Sequence, residues 1–253
     1  MRLIDSHCHL DDPAFDADLH EVCDHARKAG ITDIIVPAIT ARLWPRIRKL
    51  TQSLSFTHPA YGLHPMFVEM HKPEDINALE TWVTRESPVA IGECGLDYYS
   101  HKHTRRQQQL FFDAQLALAH QAGLPVIVHA RKSVEEALMM IRRYPGLTGV
   151  FHSFSGSIEQ ANRLIDLGFF LGFGGPATWP NSHRIHKVIQ QTPLAAILLE
   201  TDAPDQPDAR HRGQRNEPAF LRDIAPVIAQ LKNISTEKLA EATSANTARL
   251  FSL

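Results

Sequence analysis

Five short apolar runs in this chain each end on a residue type that binds metals. They are Leu3-Ile4-Asp5-Ser6-His7-Cys8-His9, Val89-Ala90-Ile91-Gly92-Glu93, Val126-Ile127-Val128-His129, Gly149-Val150-Phe151-His152 and Ile197-Leu198-Leu199-Glu200-Thr201-Asp202. Runs of this length and composition read as buried strands. A ligand-type residue placed repeatedly at the carboxyl end of a buried strand is where a (β/α)8 barrel keeps its chemistry. The pattern therefore points to a metallohydrolase.

Helical periodicity fills the intervals. Leu19, Val22, Cys23, Ala26 and Ala29 recur at helical spacing within a segment from Asp16 to Ala29, and Gly30 follows where a left-handed C-terminal residue is wanted. Ile31 to Val36 then reads as a second strand, and a third lies near Tyr61 after a helix containing Ile47 and Leu50. A helix around Ile76 to Thr84 precedes the Val89 strand. Thr104 and Gln107 form a capping-box pattern before a helix that runs to Gly123, and Ser157 and Gln160 repeat it before a helix that stops at Gly168. The strands Phe169 to Gly172 and Ala195 to Leu199 bring the count to eight, and helices near Pro218 to Leu231 and Thr236 to Leu250 end the chain. Such alternation with short connections implies a parallel sheet covered by helices, and eight units predict an α/β fold of the (β/α)8 TIM-barrel type. The rival, an open doubly wound sheet, often carries a glycine-rich turn after its first strand, whereas here that strand ends in His-Cys-His. With 253 residues, near the roughly 250 of one barrel, residues 1–253 are expected to form a single TIM-barrel metallohydrolase domain.

A formal net charge of -2 argues against a broad basic face that coats nucleic acid, leaving room only for a local basic rim. Cys8, Cys23 and Cys94 show no CxxC spacing, so neither a disulfide framework nor a thiolate zinc site is expected. Neither a leader-like segment nor an apolar run of membrane-spanning length is visible, so the expectation is a cytoplasmic protein with no membrane contact and no obligate protein partner.

His7 and His9, two apart in an extended segment, point to one side and can share a metal, while Cys8 points to the other and belongs to the core. Cys94 is expected to pack there too. In a closed barrel the last strand lies beside the first, so Asp202 can join the same ion and leave a position for water. Glu93, His129 and His152 line the opposite part of the mouth and suit a second ion, with Glu93 able to bridge. Two ions about 3.5–4 Å apart stabilise attacking and leaving oxygens and lower the pKa of a bound water. The bland alternatives are a helix cap or salt bridge for Glu93 and Asp202, and hydrogen-bonded core histidines for His129 and His152.

These residues lie in seven ordered motifs: Asp5-Ser6-His7-Cys8-His9-Leu10, Tyr61-Gly62-Leu63-His64-Pro65, Ile91-Gly92-Glu93-Cys94-Gly95-Leu96-Asp97, Pro125 to Arg131, His152-Ser153-Phe154-Ser155-Gly156, Glu200-Thr201-Asp202-Ala203-Pro204, and Arg215-Asn216-Glu217-Pro218 onward to Asn246 to Phe251. The set resembles the TatD family of metal-dependent deoxyribonucleases, a branch of the amidohydrolase-like barrels, over nearly the whole chain. The resemblance implies His7, His9 and Asp202 as ligands of one metal, His129 and His152 as ligands of another, and Glu93 between them. It implies Asp202 as acid/base partner of the activated water, with Glu93 sharing in catalysis, and His64 as a further active-site histidine that contacts a substrate phosphate. Two departures stand out: His64-Pro65-Met66 where many relatives have His-Pro-His, and Lys132 where many have an acidic residue.

Around this centre, Arg131 and Lys132 read either as phosphate contacts or as solvated charges. Tyr98 and Tyr99 read as stacking surfaces for a base or as loop packing. The segment Arg210-His211-Arg212-Gly213-Gln214-Arg215 reads as a basic rim or as a solvated loop. The expected cofactors are two divalent ions per chain, drawn from zinc, manganese, cobalt, nickel or magnesium. The expected activity is hydrolysis of ester bonds, foremost phosphodiesters of nucleic acid, with a small phosphoester as the other substrate. The alternatives are an amidohydrolase-like enzyme acting on a small amide, lactone or phosphate ester, and, more remotely, a non-enzymatic metal- or nucleic-acid-binding protein.

Overall fold

Strand and helix alternate along the whole chain in the computed structural model, which describes residues 1–100 and 102–253. The strands are β1 (Leu3–Asp5), β2 (Ile31–Pro37), β3 (Thr57–Tyr61), β4 (Ala90–Asp97), β5 (Val126–Arg131), β6 (Gly149–Phe151), β7 (Phe169–Phe173) and β8 (Ile197–Leu199). The helices are α1 (Leu19–Ala29), α2 (Trp44–Ser53), α3 (Glu74–Glu86), α4 (Arg105–Ala122), α5 (Val134–Ile141), α6 (Ile158–Asp166), α7 (His183–Gln191), α8 (Leu221–Leu231) and α9 (Thr236–Phe251). All eight strands lie in one sheet in chain order, each parallel to the next. The two ends of the sheet meet where the Ser6 amide donates to the Leu199 carbonyl at 3.0 Å. The chain forms the expected (β/α)8 barrel.

Two-residue alternation divides the core into two layers. Ile34, Val36, Val128, Leu171 and Leu199 face outward, where they join helix residues such as Val22, Ile47, Leu79, Phe112 and Leu138. Their strand neighbours Ile35, Ala60, Ile127, Val150, Phe170 and Leu198 form a separate cluster inside the ring of strands. Strands buried on both faces are apolar throughout, which is why they read as continuous runs in the sequence. Leu250 and Phe251 join the inner cluster, and Asn246 of α9 donates to the Leu194 and Ile197 carbonyls at 2.9 Å each. Helix α9 therefore covers the N-terminal end of the strands. Polar side chains are left to the opposite end.

Local signals explain most boundaries. Gly30 ends α1 with φ 90°, its amide reaching the Ala26 and Arg27 carbonyls, and a Cβ there would stand 2.3 Å from the Met1 carbonyl oxygen. Ser157 and Gln160 form the reciprocal capping box that starts α6. The Thr104 box does not form: Gln107 donates to the Val68 carbonyl instead, and Gln108 reaches the Thr104 hydroxyl. Helix α1 starts at Leu19 rather than Asp16, because Pro13–Phe15 forms a separate 3-10 turn capped by Asp12. Helices α5 and α7 occupy stretches to which the sequence reading assigns no element.

A buried carboxylate fastens the seam between β1 and β8. Asp5 Oδ1 accepts from the amides of His7 at 3.2 Å and Thr201 at 3.0 Å, while Oδ2 accepts from the Thr201 hydroxyl at 2.5 Å. Burial pushes the Asp5 pKa up to about 7, against the lowering effect of the Thr201 bonds. Asp5→Ala would strand three buried donors and is expected to cost on the order of 3 kcal/mol in urea unfolding, with Asp5→Asn costing less. Because the folded pKa lies above the unfolded one, the native state of the metal-free protein holds this proton more tightly. The Asp5 contribution to stability is complete at low pH and is lost as the pH rises through about 7, and Asp5→Asn should remove that slope.

Candidate metal centre

Parallel strands all deliver their carboxyl ends to one side of the barrel, so ligand residues far apart in sequence converge there. His7 and His9 follow β1, His64 follows β3, Glu93 and His129 lie within β4 and β5, His152 follows β6 and Asp202 follows β8. Glu93 stands among them. Its Oε2 lies 3.2 Å from His7 Nε2 and 3.4 Å from His9 Nε2. Its Oε1 lies 2.9 Å from His152 Nε2, 3.1 Å from His129 Nδ1 and 2.9 Å from His64 Nε2. Asp202 Oδ1 flanks the first pair, 3.4 Å from His7 Nε2 and 3.7 Å from His9 Nε2. Strand β1 ends at Asp5, yet the two imidazoles still meet, with 3.3 Å between their Nε2 atoms. Cys8 and Cys94 turn into the core, their thiols 3.7 Å and 3.6 Å from the Ala203 and Ile127 carbonyls.

The outer nitrogen of each ring decides what the inner one offers. His9 Nδ1 lies 3.2 Å from the Pro37 carbonyl, and His129 Nε2 lies 3.1 Å from Asp97 Oδ2. Those oxygens only accept, so both outer nitrogens carry protons, and in the neutral rings His9 Nε2 and His129 Nδ1 present lone pairs to Glu93. Lone pairs set against carboxylate oxygens at this range repel unless a cation lies between them. Glu93 Oε2, fully buried, meets no hydrogen-bond donor among the described residues. Three ligand groups result, His7/His9/Asp202, His7/Glu93/His152 and His64/Glu93/His129, each with its donor atoms within 4.8 Å of one another. The mixed imidazole and carboxylate set fits a divalent metal.

Without a metal, protons balance the charge. Burial alone would raise the Glu93 pKa, but His64, His152 and His7 hold it well below the usual carboxylate range. The His7 and His152 rings stack at 4.0 Å, so only one of them takes a proton. Burial and the charge on His152 push His7 down to about 4. Burial works against protonation of His152 and His9 too, yet Glu93 raises them to about 10 and about 9. A metal must displace these protons to bind.

Asp97 orients His129. Its Oδ1 accepts from the Tyr99 and Ser100 amides at 2.9 Å and 2.8 Å, leaving Oδ2 for the imidazole. Burial notwithstanding, these bonds lower its pKa to about 2, so it stays ionised. A carboxylate behind a ligand histidine fixes the tautomer and strengthens the donor. The sequence reading assigns Asp97 no role, although its even spacing from Glu93 in one strand was a usable signal. Glu200 is buried on the far side of His152, its Oε1 3.8 Å from His152 Nδ1, and burial pushes its pKa up to about 8. Gly172 has no side chain to spare there, since a Cβ would stand 2.2 Å from Glu200 Oε2.

Comparison with known proteins agrees with this geometry. Residues 4–252 match the family described as TatD related DNase. The chain belongs to the TatD family. It is 38% identical over 255 residues to YjjV of Escherichia coli K12, covering 100% of this chain and 98% of that one. It is 34% identical over 251 residues to YabD of Bacillus subtilis 168, covering 98% of each. Both relatives are described as uncharacterized metal-dependent hydrolases. The crystal structure of YjjV superposes with a TM-score of 0.95 at 37% identity, over 100% of this chain and 98% of that one. The chain is a metal-dependent hydrolase of the TatD family.

Around this TatD-type centre the remaining expected contacts fall differently. His64 Nδ1 accepts from the Met66 amide at 3.1 Å, so Nε2 carries the proton and donates to Glu93. In this state His64 is engaged with Glu93 rather than turned outward to a phosphate. Tyr98 is half-buried, its ring covered by the Arg105 guanidinium at 4.5 Å and its hydroxyl accepting from Gln109 at 3.1 Å. The open ring is that of Tyr99, 62% exposed, with Arg131 stacked on it at 4.0 Å. Most of the charged groups in 210–215 have partners, while Arg212 lies over the Trp179 ring. Arg210 pairs with Asp223, Arg215 with Asp18 and Glu217, and His211 with Asp208. No helix of the described residues is long and apolar enough to cross a membrane.

Two outcomes follow from the ring partners. Asp97→Ala should weaken metal binding about 10- to 100-fold in calorimetric titration, because His129 loses its orienting acceptor. Metal affinity should rise with pH across the neutral range, since protons on His9 and His152 compete with the ion below their raised pKa values. An affinity independent of pH between about 6 and 8 would contradict this proton competition.

Proposed function

We propose that the chain hydrolyses phosphodiester bonds, with DNA as the favoured substrate, using two divalent ions. The observation that carries this reading is the division of Glu93, one oxygen toward His7 and His9 and the other toward His129 and His152. Ions bound there would neutralise charge on the attacking and leaving oxygens and lower the pKa of a water. His7, His9 and Asp202 would hold the first, His129 and His152 the second, and Glu93 both. Asp202 reaches the first group with Oδ1 alone, which suits its carboxylate to take the proton of the attacking water. Zinc, manganese, cobalt and nickel suit these donors better than magnesium does.

Arg131 supports a phosphodiester substrate. It lies two residues after His129 on β5, hence on the same side of the strand and about 7 Å nearer the mouth. Stacking on Tyr99 leaves its planar fork of N–H donors free, and no carboxylate among the described residues pairs with it. A phosphate flanking the scissile bond would meet that fork. The family's description as DNase-related favours DNA.

The first test strips the protein with chelator and assays re-metallated wild type and His7→Ala on single-stranded DNA and on bis-p-nitrophenyl phosphate. Cleavage restored by metal and abolished in the variant is the expected result. Metal binding without cleavage of either substrate would replace this reading with a small-molecule amide, lactone or monoester hydrolase. Arg131→Ala should weaken DNA binding and lower its salt slope by about one, while turnover of the small ester stays within about twofold.

A further inference from the structure

Asp202 turns only one oxygen toward the histidines. The other, Oδ2, accepts a hydrogen bond from the Gln206 side-chain amide. The carbonyl end of that amide accepts from the Ser153 hydroxyl at 2.8 Å, and the Ser153 amide in turn donates to Glu200. Ser153 is the residue after His152. One glutamine side chain thus spans from a ligand of the first group to the turn that carries a ligand of the second.

The backbone is strained at three residues of this network. Ser153, Asp202 and Gln206 have φ of 45°, 59° and 49°, in the left-handed region that non-glycine residues avoid. Of the other such residues among those described, Ser87, Asn233 and Ser252 end helices and Lys132 follows β5. Gln206 also precedes Pro207, where steric contact with the proline ring narrows the backbone choice further. Strain of this kind persists only where the surroundings over-determine it, and it gathers at functional sites. A surface loop with no task would relax it with glycine or asparagine.

We infer that Gln206 is a positioning residue: its amide fixes the plane of the Asp202 carboxylate and ties it through Ser153 to the His152 turn, holding the two ligand groups in register. The amide can serve both partners because it carries a donor and an acceptor on one rigid plane. Leucine, of similar size, can serve neither. The inference rests on the reading of Asp202 as a metal ligand.

The test titrates Mn2+ calorimetrically into chelator-stripped wild type, Gln206→Leu, Ser153→Ala, their double variant and Asp202→Ala, with a thermal melt of each metal-free protein. Gln206→Leu should weaken Mn2+ binding at least about tenfold with an unchanged melting temperature. Ser153→Ala should weaken it less. The double variant should bind no more weakly than Gln206→Leu, because the serine acts through the glutamine. An affinity within about twofold of wild type in Gln206→Leu, or losses that simply multiply in the double variant, would overturn the inference. If Gln206→Leu does not fold, Ser153→Ala decides alone, and an unchanged affinity overturns it. Asp202→Ala separates the two levels. Unchanged binding there removes the ligand reading and this inference with it, whereas loss there without loss in Gln206→Leu removes the inference only.

Discussion

A single carboxylate buried among imidazoles governs this molecule. Glu93 is 1% exposed and lies within 3.4 Å of five histidine rings. An ionised carboxylate removed from water is tolerable only when positive charge surrounds it. The barrel supplies that charge by aiming the histidines of four strand ends at one point, and the rings supply it either as imidazolium or as ligands of a cation. The outer hydrogen bonds of His9 and His129 favour the second, because they turn lone pairs inward.

The fold is arranged to protect that choice. Inner and outer apolar layers make the strands rigid, and α9 covers the end of the barrel that carries no chemistry. Asp5 fastens the seam at the point where His7 and Asp202 must face each other, and the Asp202 amide itself donates to the His7 carbonyl at 2.9 Å. Around the candidate ligands, Asp97 meets the His129 ring and Gln206 the Asp202 carboxylate, while Glu200 is buried beside His152. Asp5 and Glu200 are acids whose burial favours the neutral form near pH 7. The centre is therefore bordered by groups that respond to protons as well as to metal.

The convergence of the candidate ligands was legible in the sequence for a geometric reason. Parallel strands share one direction, so residues such as His129 and His152 at successive strand ends must converge whatever the detailed packing. The supporting residues were not legible in that way. Asp97 shares a strand face with Glu93, yet neither the ring it meets nor the amides that Asp5 meets can be read from the chain. Adjacent Tyr98 and Tyr99 offer the same side chain, and only Arg105 lying over one of them separates packing from exposure. The arginines of 210–215 read as a basic cluster because a carboxylate that one of them meets is remote in sequence. Asp18, which pairs with Arg215, lies near the opposite end of the chain.

Sequence by itself determined the alternation of strand and helix, the barrel and the residue types that meet at its mouth, because periodicity and strand direction are local properties. Tertiary structure decided which oxygen of Glu93 faces which histidines, which ring nitrogens meet a partner, and which arginines meet a carboxylate. Those outcomes depend on contacts between segments far apart in the chain, set by the packing of the whole barrel rather than by any one motif.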